Sequence, residues 1–303
     1  MIDTRYFGVF FIVRSLVAVL IGCWAFPASG QPAVKNDTAK VAIKKLMPPL
    51  NTPFNDFAPV ISADGSTMMF TSNRPSTERE LAKGKAGREN IYEVTVDPKK
   101  KKWGAPKLLG PAVNAPGRNN SAIALSPDGQ RMLVYRDNND GNGNVFESVL
   151  NGTEWSELTE FPEPINSDEH ESSACYSPDG RMIYFVSDRE GGEGGKDIWC
   201  VTRDKSDTWG ALKNMGPVIN TKEDEQGIFL HADGRTLYFS SRGHGSGGGY
   251  DLFRSAQEGD AWSVPKPLGA PLNTPGDDLY LVFLADGKTA YMSSERSGGM
   301  GEK

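Results

Sequence analysis

From about residue 40 onward, short runs of apolar and aromatic residues alternate with clusters rich in Pro, Asp, Gly and Asn. Residues 166 to 219 show the pattern plainly. Ser173-Ala174-Cys175-Tyr176-Ser177 meets Pro178-Asp179-Gly180, where proline presets φ and glycine accepts a positive φ, so the pair predicts a tight reversal. The returning segment runs from Arg181 to Ser187, and a glycine-rich bend from Gly191 to Gly195 leads into Asp197-Ile198-Trp199-Cys200-Val201. A fourth segment starts near Trp209. Each run is too short for a preferred helix, and the β-branched and aromatic content fits half-buried strands, giving four strands in this stretch.

The stretch is one copy of a repeat of about 53 residues. Asp-Gly turns recur at Asp64-Gly65, Asp128-Gly129, Asp179-Gly180, Asp233-Gly234 and Asp286-Gly287. An asparagine precedes each turn glycine by 14 or 15 residues, at Asn51, Asn114, Asn166, Asn220 and Asn273. Trp103, Trp155, Trp209 and Trp262 each stand 11 residues before the next of these asparagines. The first copy carries extra residues between its second and third strands, which lengthens the first interval. Four-stranded units repeating at this period predict an all-β protein, a β-propeller, because a lone sheet leaves faces and edges that a neighbouring blade can bury. The tryptophans are expected to fill layers between blades, and the Asp-Gly pairs to form turns, not metal sites.

Four complete repeats and a partial fifth are visible. The fifth stops at Lys303, before an expected third strand, so the propeller is read as incomplete at its C-terminus. Residues 41 to 50 resemble the connection before each repeat asparagine and are expected to supply an outer strand that helps close the ring.

The motifs Ser126-Pro127-Asp128-Gly129, Ser177-Pro178-Asp179-Gly180, Gly194-Gly195-Lys196-Asp197-Ile198-Trp199 and Gly248-Gly249-Tyr250-Asp251-Leu252-Phe253 resemble the WD40-like repeats of the TolB-type β-propeller family. The resemblance spans about Lys40 to Lys303 and implies a preference for six blades. In character the chain is similar to propeller regions of exported, OmpA-associated Bacteroidetes proteins, some of them in type 9 secretion and gliding machinery. That likeness implies an envelope or secretion-system protein as partner.

The first 30 residues read separately. Phe7 to Phe26 is apolar apart from Arg14 and Ser15, follows Arg5, and gives way to a polar segment, as in an export signal. Ala28-Ser29-Gly30 suits cleavage before Gln31, with residues 31 to 39 as linker and 40 to 303 as propeller. A competing Leu20-Ile21-Gly22-Cys23 context resembles a lipobox, which makes residues 1 to 22 a lipoprotein signal and Cys23 a lipid anchor. The first reading predicts the periplasm; the second, an outer-membrane lipoprotein. After removal of residues 1 to 30 only Cys175 and Cys200 remain, and both are expected as free thiols.

A net charge of -6 and dispersed lysines exclude an extended basic surface for nucleic acid. Arg74, Arg189, Arg242 and Arg296 follow second strands at near-equivalent places and point to a repeated structural contact. His170, His231 and His244 sit in loops or turns without a nucleophile and acid in a catalytic spacing, and the glycine clusters join strands where a phosphate loop needs a helix. No cofactor or metal is indicated. Asp168, Glu169, Glu171, Glu223, Asp224, Glu225, Asp277 and Asp278 recur after the inter-repeat asparagines and form a candidate acidic interaction rim. The function expected is a noncatalytic periplasmic interaction scaffold, with glycan or peptidoglycan binding and exported hydrolase activity as alternatives.

Overall fold

A computed structural model describes residues 10–15, 41–138, 142–206 and 208–299. The two cleavage contexts, Cys23 and the linker lie outside these residues. Four antiparallel sheets are each continuous in sequence. The third is the simplest: Glu171–Tyr176, Met182–Ser187 and Asp197–Thr202 pair in order, and Lys213–Asn214 adds an outer edge. In the other three the outer strand is split into two short ladders, as with Glu154–Trp155 and Thr159–Glu160. The extra residues of the first blade form a helix, Glu78–Lys83, whose capping box joins Thr77 to Glu80.

A fifth sheet combines the two chain ends. Asp278–Phe283 and Thr289–Ser294 supply its inner strands, and Val41–Lys45 its outermost one. Between them lies Phe10–Ser15, antiparallel to both neighbours. The expectation of an outer strand near residue 41 therefore holds. The third position, for which the C-terminal repeat supplies no strand, is occupied by Phe10–Ser15, a segment read from sequence as leader.

Five hydrophobic layers alternate with the five sheets. Val60, Met69 and Ile91 meet Ala122, Met132 and Val134 between the first and second sheets, and Tyr291 meets Met68 and Phe70 between the fifth and first. The last layer closes the ring. A sixth sheet, which the family resemblance implied, is not found among the described residues. Trp103 packs edge-on to Tyr291 of the preceding sheet at 6.1 Å between ring centroids, and Trp209 to Phe161 at 6.0 Å. Trp155 and Trp262 lie against the corresponding layers. Cys175 and Cys200 are buried free thiols on the outer two of three adjacent strands, both opposite Tyr184. Two strand spacings, about 9–10 Å, exceed the reach of a disulfide.

The repeat markers have local physical roles. In each Asp-Gly turn the glycine amide donates to the carbonyl three residues earlier, with Gly65, Gly129, Gly180, Gly234 and Gly287 all at positive φ. The aspartate accepts from the turn itself: Asp128 takes the Ser126 hydroxyl and the Gln130 amide, and Asp179 the Ser177 hydroxyl and the Arg181 amide. The asparagines clamp strands. Asn166 accepts the Val145 amide and donates to the Val145 and Phe161 carbonyls, and Asn114, Asn220 and Asn273 hold Ile91, Ile198 and Leu252 in the same way.

Candidate functional site

Each inner strand runs along the ring axis toward its Asp-Gly turn, so its last residues share one axial mouth. There the five strands enclose an apolar funnel of about 170 Å³. Ile61, Ile123, Tyr176, Phe229 and Phe283 represent one side chain from each sheet. Sequence alternation places these residues toward the axis, but their convergence follows only from ring closure. The Phe283 ring packs on Tyr238 at 4.7 Å and on Phe229 at 6.1 Å, while His231 meets it edge-on at 5.9 Å. Tyr176 turns its hydroxyl away from the funnel to donate to Glu147 at 2.7 Å. The wall facing the funnel is mostly hydrocarbon and aromatic, with Ser126 and His231 also among its lining residues.

Around this mouth stand the exposed turn acids Asp64, Asp128, Asp179, Asp233 and Asp286. All five are held below the usual aspartate range. Asp64 falls to about 2 because the Ser62 hydroxyl and the Ser66 amide and hydroxyl donate to it. Hydrogen bonds from turn amides and hydroxyls lower the others, against the opposing effect of partial burial. They are anionic at neutral pH, although Arg181, Arg235 and Lys288 follow three of the turns.

At the other axial end the inner strands begin with polar residues. Ser172 donates to Gln226 at 3.3 Å, and the Gln226 amide donates to the Tyr280 hydroxyl at 3.1 Å, tying three sheets together. Glu89 is buried near this end and pushed up to about 7, first by burial and then by Asp137.

The acids proposed as a rim divide into three groups. Asp168, Glu169 and Glu223 are exposed. Asp224 accepts the Lys196 amide, and Asp277 the Tyr250 amide, so both join neighbouring blades. Glu171, Glu225 and Asp278 are fully buried. Glu171 and Asp278 each receive an arginine, Arg189 at 2.8 Å and Arg296 at 3.1 Å, as Asp56 receives Arg74 at 2.6 Å. Each guanidinium also donates to two carbonyls of the inter-blade link, for example Pro164 and Ile165 for Arg189.

Arg242 does not share this contact. The residue aligned with Arg189 in the fourth blade is Gly243, since Gly243 and Arg189 each donate their amide to the serine two residues earlier. Arg242 lies over the Tyr250 ring at 4.5 Å instead. His244 Nε2 meets the Ile219 carbonyl at 2.9 Å, the carbonyl that corresponds to Ile165. Glu225 therefore has hydroxyl and amide donors from Ser241 and Thr221 but no arginine, and burial pushes it up to about 7.

The histidines occupy separate surroundings. His170 is buried beside Tyr135, pushed down to about 4 chiefly by burial, and neither ring nitrogen has a hydrogen bond. His231 Nδ1 caps its own turn by accepting the Asp233 amide. None of the three is hydrogen-bonded to a serine or cysteine side chain in the described structure. Among the described residues no three His, Cys, Asp or Glu side chains are grouped to hold a metal ion.

No family model matches the chain. It is similar in structure to a putative TolB from Agrobacterium tumefaciens, with 16% identity over 96% of this chain and 99% of that one, at a TM-score of 0.50. TolB from Acinetobacter baumannii gives a TM-score of 0.49 at 17% identity, and a periplasmic gluconolactonase from Pseudomonas aeruginosa 0.47 at 12%. The chain covers 95% of itself in the Acinetobacter match but spans only 64% of that protein's structure. At such identities the likeness concerns architecture alone, and what it establishes is a TolB-like β-propeller fold.

Proposed function

We propose that this protein is a noncatalytic interaction scaffold of the bacterial envelope, and that it takes an apolar segment of a partner protein into the axial funnel. One observation carries this reading: all five inner strands direct apolar side chains into a single mouth. Its volume of about 170 Å³ lies below the ~300–1,000 Å³ of pockets that enclose small molecules. It suits insertion of one or two anchor side chains, each worth about 1.5–3 kcal/mol when fully buried. The rigid blades hold the mouth while the turn residues around it set which neighbours are tolerated.

Export through the N-terminal signal belongs to the same proposal, with a periplasmic product beginning at Gln31 or an outer-membrane lipoprotein beginning at Cys23. Mass measurement of the mature N-terminus distinguishes the two. A type 9 secretion or gliding assembly is the setting proposed from the resemblance of the repeats, with Asp168, Glu169 and Glu223 as a secondary contact surface at the opposite end.

The funnel is tested by placing a photo-crosslinking amino acid at Phe229 or Phe283 in cells, with exposed Leu81 as the control site. A specific protein adduct from the funnel positions, absent at Leu81 and lost when Ile123→Asp is added, is the expected result. Labelling confined to glycan, or equal labelling at Leu81, would overturn the proposal.

A further inference from the structure

The third strands of the four continuous blades share a short pattern of Asp or Asn, an aliphatic residue and an aromatic one. The examples are Asn90-Ile91-Tyr92, Asn144-Val145-Phe146, Asp197-Ile198-Trp199 and Asp251-Leu252-Phe253. The first residue ties the preceding loop to the strand: Asp197 accepts the Glu193 amide and the Asn214 side-chain amide, and Asp251 the Gly247 amide. The aliphatic residue is the one gripped by the inter-blade asparagine.

In the fifth sheet this position belongs to Phe10–Ser15, which arrives from a different part of the chain. Phe10 pairs with Ser293 as Leu252 pairs with Ser240, so the register is that of a third strand. Its sequence, Phe10-Phe11-Ile12-Val13-Arg14-Ser15, contains no Asp or Asn and so does not carry the pattern.

A second mismatch lies on the adjoining blade. Asn119, Asp224 and Asp277 each accept an amide from the residue just before a third strand, namely Glu89, Lys196 and Tyr250. Asn55 is their counterpart beside the fifth sheet. It is buried, with 8% exposure, and its side-chain oxygen has no hydrogen bond. The Asn55 oxygen thus stands where its counterparts accept an amide, without a partner of its own.

We propose that the third-strand slot of the fifth sheet is an exchangeable site that accepts an extended segment of a partner protein carrying the Asp/Asn, aliphatic, aromatic pattern in place of Phe10–Ser15. Replacement conserves the backbone ladder to Thr289–Ser294, since one antiparallel strand substitutes for another. The incoming strand adds the amide that Asn55 lacks and the loop-tying carboxylate or amide. Signal cleavage, if it follows the proposal above, opens the same slot by removing residues 1 to 30; the exchange itself does not depend on the funnel.

The test uses the full chain and a fluorescent peptide copying residues 249–257. Binding is followed by anisotropy, and strand displacement by hydrogen exchange. The expected result is saturable binding that raises exchange in residues 10–15 while residues 289–294 stay protected. The peptide bearing Asp251→Lys should bind about tenfold more weakly, and so should the native peptide to Asn55→Leu protein, from loss of a buried hydrogen bond. Altering the peptide keeps the test decisive even where the protein variant folds poorly. Absence of binding, equal binding of a scrambled peptide, or binding without increased exchange in residues 10–15 would overturn the proposal.

Discussion

Replacing Arg189 by methionine isolates the contribution of the repeated arginine fork. Methionine retains hydrocarbon against Phe185 and Trp199, over which the guanidinium lies at 4.9 and 5.8 Å. What is removed is the ion pair to Glu171 and the donors to Ser187, Pro164 and Ile165. The Arg189 side chain is 10% exposed and that of Glu171 is 0% exposed, so water does not readily replace the lost donors. Breaking a buried pair by removing one partner costs about 3–5 kcal/mol. With a shift of about 2–4 °C per kcal/mol for a domain of this size, melting should fall by on the order of 10 °C at pH 7. Urea unfolding followed by tryptophan fluorescence gives the free energy directly.

A double variant checks the same account: adding Glu171→Gln to Arg189→Met replaces the buried carboxylate left without its arginine by a neutral amide and should recover part of the loss at pH 7. A loss below about 1 kcal/mol for Arg189→Met, the range of exposed ion pairs, would refute the account, as would no recovery in the double variant.

The fourth blade offers the complementary case, because Glu225 has no arginine and sits at about 7 against an ordinary 4.5. A carboxyl raised in the folded state contributes stability that is fully present below 4.5 and is lost as pH rises through about 7; this separation corresponds to about 3 kcal/mol. Glu225→Gln should therefore flatten the stability profile between pH 4.5 and 7.5, and an unchanged profile in urea titrations would count against the assignment. Gly248→Ala should cost about 1–3 kcal/mol, because the added Cβ would lie 2.3 Å from the Pro275 carbonyl oxygen. Gly110→Ala, where nothing lies within 4 Å, should stay within about 0.5 kcal/mol of the parent in the same assay.

What the chain reveals without its structure is the part whose physics is local. An Asp-Gly turn closes over four residues, its aspartate bonds within the turn, and its glycine meets the positive φ by itself, so Asp128-Gly129 or Asp179-Gly180 is legible in isolation. The period of the repeat follows from the same markers, and with it the stacking of sheets. The acids after the inter-blade asparagines were not legible in this way. Glu171 and Glu169 are two residues apart, yet one is buried against Arg189 and the other exposed, and only strand pairing brings position 189 back to position 171.

The one-residue shift that leaves Gly243 in place of an arginine is invisible until the serine before it fixes the register. Blade number and closure lay further out of reach. The repeat specifies how neighbouring sheets pack, but not how many complete the circle, and the join at which Tyr291 meets Met68 and Phe70 is seen only in the structure of the described residues. The funnel exists for the same reason. Ile61 and Phe283 are separated by nearly the whole propeller in sequence, and only a closed ring sets both at one mouth.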